Sequence, residues 1–160
     1  MPSGSTHLKI EAGLMIAWAA ASAALVVCER VPLRHALLFL AGYVFSMLFL
    51  SPDLDLADSR AVRRWGALRW IWYPYALLFR HRQLSHHLLW GPLSRVAYLG
   101  ALGLGIGVAV LAVIGSRTPR IQVSADIVLP VCLGLYLPNV EHILADRICT
   151  QWRRRVRRRL

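Results

Sequence analysis

LSRVAYLGALGLGIGVAVLAVIG, residues 93–115, and DIVLPVCLGLYLPNV, residues 126–140, decide the fold class. A helix on a soluble core shows a polar face at every turn, and these two runs carry almost none. Lipid is the solvent that suits them. Crossing a hydrocarbon layer takes about 20 apolar residues in a helix, with about 17 as a lower bound. Working outward, residues 12–28 and 33–50 come near or exceed that length, and the last run extends to residue 145. The chain therefore reads as all-α, a helical membrane protein with about four transmembrane helices at 12–28, 33–50, 93–115 and 126–145. The short turn around Glu29, Arg30 and Pro32 makes the first two an antiparallel hairpin. At 160 residues, one membrane-embedded unit spanning 1–160 is expected.

Residues 65–92 differ from these runs. Trp65, Trp70, Trp72, Tyr73, Tyr75 and Trp90 alternate with Arg69, Arg80, Arg82 and three histidines. The apolar core of this stretch, WIWYPYALLF, is too short to cross and is interrupted by Pro74. Mixed aromatics and arginines favour the headgroup boundary, so an interfacial or partly re-entrant segment is expected. An ordinary aromatic belt would account for the tryptophans. It does not account for the histidines.

The formal charge is +11, and its placement matters more than its size. Arg60, Arg63, Arg64 and Arg69 form one patch, and a basic tail over 147–160 holds the other, from Arg147 to Arg159. Both flank apolar segments, which places them in the cytoplasm and gives four spans with both termini inside. Membrane lipids are the nearer partner for the tail, and nucleic acid is the weaker one. Cys28, Cys132 and Cys149 are scattered, with no CxxC spacing, so they read as small apolar residues rather than as a disulfide or thiolate-metal framework. The stretch MPSGSTHLKIEAG lacks the basic region and cleavage site of a secretory leader, so the first apolar run reads as a retained span.

The chain has only eight Asp plus Glu and six His. In this topology, Asp53 and Asp55 of SPDLDL, His81 and His86 of HRQLSHH, His142 and Asp146 of EHILAD, and His7 just before the first span all fall at the inner face. His142 and Asp146 share a helix face at i, i+4. Asp53 and Asp55 point the same way if their backbone is extended, and Pro52 opposes a continuous helix there. An Asp held at span depth costs about 2.5–3.5 kcal/mol even on lenient scales, and a divalent cation compensates several such groups together. Imidazole and carboxylate donors suit Zn²⁺, Mn²⁺ or Fe²⁺ better than Mg²⁺. Seven donors exceed one closed zinc site, which implies two ions or supporting residues around the ligands. Taken singly, each has a plain structural reading: a turn for PDLD, a helix-end ion pair for His142 and Asp146, turn or interfacial histidines for His35 and His87. It is their convergence on one face that favours a metal site.

The pieces MPSGSTH, SPDLDL, RRWGALRWIWYPY, RHRQLSHHLLWGPLSRVAYL and EHILAD together resemble, nearly end to end, the bacterial membrane proteins of domain of unknown function 2227, predicted to bind metal. More distantly, the order His, PDxD, HRxxSH, HxxxD is similar to the YdjM-type membrane-bound metal-dependent hydrolases and, faintly, to zinc-dependent phospholipase C. The resemblance implies a bacterial inner-membrane location and the metal residues His7, Asp53, Asp55, His81, His86, His142 and Asp146. His87 stands where the family more often has a small residue, so either His86 or His87 can face the metal.

Two functions follow. One is a metal-dependent hydrolase acting on a phosphoester or lipid-like substrate at the inner leaflet, with Asp53, Asp55 or Glu141 accepting the proton and Arg82 or Arg80 binding a phosphate. The other is a non-catalytic metal protein, whose ion staples helix ends or is sensed. Neither reading fixes an oligomeric state.

Overall fold

A computed structural model describes residues 4–56, 58–79, 87–115 and 124–157, and every regular element among them is helical. Helices α1 (Gly4–Val27) and α2 (Leu33–Phe49) form the expected hairpin. A 3-10 turn at Pro52–Asp55 leads to the short α3 (Arg60–Arg63), a second 3-10 stretch at Gly66–Ile71 and α4 (Trp72–Leu78). Helices α5 (Trp90–Val113) and α6 (Ala125–Arg157) complete the chain. Four segments, Thr6–Val27, Leu33–Asp55, Trp90–Val113 and Ala125–Val156, are long and apolar enough to cross a membrane.

The most extensive packing is α2 against α6. Two glycines allow it. A Cβ on Gly134 would overlap the Phe39 carbonyl oxygen and lie 2.9 Å from the Tyr43 nitrogen, and one on Gly42 would lie 3.0 Å from the Val131 oxygen. Small residues at a crossing let backbones close up, which is how helices pack where no hydrophobic force separates side chain from solvent. Polar bonds reinforce the contact: Ser46 Oγ donates to the Leu135 carbonyl at 2.6 Å, and Asn139 Nδ2 donates to Ser46 Oγ at 2.9 Å. Arg95 of α5 joins them. Fully buried, it donates to the Asn139 amide oxygen, to the Leu50 carbonyl and, at 2.9 Å, to the Gly91 carbonyl.

Helix α2 stops where Pro52 cannot continue it, and its terminal carbonyls are taken by later residues. Leu48 accepts from Arg64 at 3.1 Å, Phe49 from the Trp65 indole at 3.0 Å, and Leu50 from Arg95. Carbonyls at a helix end have no partner within the helix, so these bonds attach residues 64–65 and α5 to the end of α2.

Several expectations are corrected. SPDLDL is not extended: Ser51 accepts from the Asp53 amide, Pro52 occupies the first position, and the carboxylates sit on a three-residue turn that points them apart. Helix α1 begins at Gly4, so His7 lies on the helix and not ahead of it. Helix α6 runs past residue 145 to Arg157, which makes much of the basic tail its continuation. An aromatic belt accounts for exposed Trp70 and Tyr73 but not for Trp72 and Tyr75, which are buried with Leu50, Leu54, Ala61 and Val62.

The crossing predicts a contrast between two glycines. Gly134→Ala should cost about 1–3 kcal/mol of stability through overpacking. Gly103→Ala, where nothing lies within 4 Å of the added carbon, should stay within about 0.5 kcal/mol or stabilise slightly. Thermal unfolding of the detergent-purified variants measures the difference.

Candidate metal centre

The first turns of α1 place His7 and Glu11 at i, i+4 on one face, and α6 does the same for His142 and Asp146. The two pairs meet crosswise. His7 Nε2 lies 3.1 Å from Asp146 Oδ1, and His142 Nδ1 lies 2.8 Å from Glu11 Oε1. The imidazoles stack between them, centroids 3.8 Å apart and planes inclined by 15°. All four residues are buried, from 3% exposed at His142 to 8% at Asp146.

Donor atoms of His7, Glu11 and His142 all lie within 4.8 Å of one another. Metal–ligand bonds of about 2.0–2.2 Å at tetrahedral angles set donors about 3.3–3.6 Å apart, so the three side chains would close up by about an ångström around an ion. His7 Nδ1 is buried without a hydrogen-bond partner among the described residues. A buried polar atom of that kind is costly unless something else satisfies it. Two imidazoles with flanking carboxylates suit a borderline divalent ion, and the residues present fit one.

The cluster opens on a cavity of about 200 Å³. His7, Glu11 and His142 form one wall, and Asp53, Arg60 and Arg64 line it from the segment after α2. Asp55 is buried in the adjoining turn and does not line the cavity. Glu141 also lies off it. Its carboxylate accepts from the Trp18 indole at 2.8 Å and from the Tyr43 hydroxyl, beside a groove lined by Ile10, Leu14 and Leu144. Tyr43 also donates to the Glu11 carbonyl at 3.2 Å, which ties α1, α2 and α6 together just above the site.

His81, His86, Arg80 and Arg82 lie outside the described residues. His87 is exposed, and its Nδ1 accepts from the Leu89 and Trp90 amides at 3.3 Å, the work of a cap at the start of α5. His35 sits at the opposite end of α2, where Arg34 donates to it at 3.3 Å. Glu11 is the residue that sequence reasoning missed. The signal was present, since HLKIE and HILAD share one spacing, a histidine followed four residues later by a carboxylate.

Comparison with known proteins agrees on metal. The model of a family described as uncharacterized metal-binding protein (DUF2227) matches residues 2–156. An uncharacterized protein of Aquifex aeolicus (strain VF5) is 39% identical over 69 residues, which are 43% of this chain and 49% of that protein. The match thus spans about half of the relative's length. No solved structure matches.

Glu11→Ala and His142→Ala should each lower metal affinity at least tenfold, on the order of what the loss of a ligand or its supporting partner costs. His35→Ala, at the far end of the hairpin, should leave it unchanged. Metal content of the detergent-purified proteins by mass spectrometry tests all three.

Proposed function

The chain belongs to the DUF2227 family of uncharacterized metal-binding proteins, and on that premise we propose that it is a membrane-embedded metal-dependent hydrolase acting on a phosphoester or lipid-like substrate at the cytoplasmic face. The observation that carries the reading is the buried His7–Glu11–His142 cluster forming one wall of an open polar cavity. A structural ion is enclosed by its ligands, whereas a catalytic one needs room beside it for substrate. Zn²⁺ and Mn²⁺ are the ions we favour for this donor set.

A bound divalent ion would supply Lewis acidity toward water and substrate there. The protein's own groups have separate tasks. Asp146 holds the His7 ring and Glu11 holds His142, so both imidazoles are oriented before anything binds. Asp53, the aspartate on the cavity wall, would accept a proton from an attacking water. Glu141 supports the site through Tyr43 instead of facing the reaction. A second reading, an ion that staples α1 to α6, is favoured by one fact. Helix α1 packs mainly on α2, and two of its hydrogen bonds to α6 are the His7–Asp146 and Glu11–His142 pairs of this cluster.

Both readings expect chelation to lower the thermal midpoint. They part on activity. Metal-loaded protein screened against phosphomonoesters, phosphodiesters and phospholipids should turn over one class, and Asp53→Asn should reduce that rate by about 10²-fold or more with metal content intact. Destabilisation by chelator with no turnover of any class would leave the staple in its place.

The free cysteines test orientation. Cys28 follows α1 in the hairpin turn, and Cys149 lies on α6 beyond the ligands. In intact spheroplasts an impermeant maleimide should modify a variant keeping only Cys28 and spare one keeping only Cys149. The opposite pattern would put the site on the outer face.

A further inference from the structure

We infer that Arg60 and Arg64 make the cavity an oxyanion subsite that seats a phosphoryl group beside the metal cluster. This names the substrate chemistry of the site proposed above and rests on that reading.

Three observations carry it. First, Arg60 and Arg64 stand four residues apart around the short α3, and both line the cavity whose other wall is His7, Glu11 and His142. Arg63, between them, is turned outward to Asp58 at 3.0 Å. Asp58 is therefore engaged away from the cavity-facing pair, which leaves Asp53 and Glu11 as the carboxylates of the lining. Second, Arg64 is held in place, because its guanidinium donates to the Leu48 carbonyl at 3.1 Å and is anchored to the end of α2. An arginine fixed by one bond needs less ordering to make the next, and its fork matches the geometry of a phosphate. Third, the charge balance suits an anion only when metal is present. Two guanidiniums face the carboxylates of Glu11 and Asp53, so a divalent ion leaves the lining with excess positive charge.

The rest of the lining agrees. Ser51 and Ser59 bring hydroxyls that already accept from backbone amides, at 3.4 and 3.2 Å, and an accepting hydroxyl still carries its own proton to donate. At about 200 Å³ the cavity is smaller than pockets that enclose whole ligands, roughly 300–1,000 Å³. It suits a headgroup or a small ester, with the remainder of the molecule outside.

The test is calorimetric titration of inorganic phosphate into metal-loaded, detergent-purified protein. Wild type should bind, and Arg60→Gln and Arg64→Gln should each weaken binding at least tenfold with metal content unchanged, while Arg63→Gln should match wild type. Should Arg64→Gln fail to fold for want of its bond to Leu48, exposed Arg60 carries the test alone. Competition by glycerol 3-phosphate against short-chain phosphatidate in mixed micelles then tells a soluble ester from a lipid headgroup, and displacement by either supports the subsite. Metal-loaded wild type that binds no phosphate, or Arg60→Gln protein that binds it as tightly, overturns the inference and leaves the metal centre standing. Wild type that retains no metal overturns the centre and the subsite together.

Discussion

The close approach of α2 and α6 at Gly42 and Gly134 is the constraint on which the other placements depend. With the two backbones nearly touching, Ser46 and Asn139 come within hydrogen-bond reach one to two turns further along, and Asn139 in turn meets Arg95 of α5. Another turn on, α6 presents His142 and Asp146 to the start of α1. Helix α1 is held there by the hairpin and by Tyr43, whose hydroxyl reaches both the Glu11 carbonyl and Glu141. A side chain at Gly134 would force the two backbones apart at the crossing, so the polar bonds one to two turns further along depend on the same close approach.

Most buried polar groups among the described residues come in mutually satisfied sets, Trp72 Nε1 being an exception. Arg95 would be costly alone among apolar helices, yet its donors go to two carbonyls and an amide oxygen. The His–carboxylate pairs follow the same rule, save that His7 Nδ1 has no partner among the described residues. One unsatisfied nitrogen in an otherwise completed network is where an ion would contribute most.

What the sequence disclosed follows the range of the interactions involved. Apolar runs and the Glu29–Pro32 turn are local signals, and the hairpin and long helices were legible from them. The i, i+4 spacing of His142 and Asp146 is local too, and it held. Glu11 was passed over because HLKIE precedes the apolar run and reads as a polar lead-in, although the helix starts at Gly4. Arg95 was absorbed into an apolar segment because its partners, Leu50 and Asn139, lie more than 40 residues away. SPDLDL was of another kind. Its residues left an extended strand and a turn both open, and a serine cap with a proline at the first position settles it as a turn, in which the two carboxylates diverge.

Helix α6 has 33 residues, about 50 Å at 1.5 Å per residue, against a hydrocarbon thickness of about 30 Å. Its first turn carries Asp126, paired with Arg34 at the head of α2, which fixes where the measure begins. His142 comes about 24 Å along from there and Asp146 about 30 Å, so in a bilayer of that thickness entered at Asp126 they would lie near its far edge. In a membrane the helix would act as a depth gauge. Chemistry at this site would be confined to bonds lying at the boundary between acyl chain and water, and the thickness of the bilayer would itself set which atoms of a lipid come within reach.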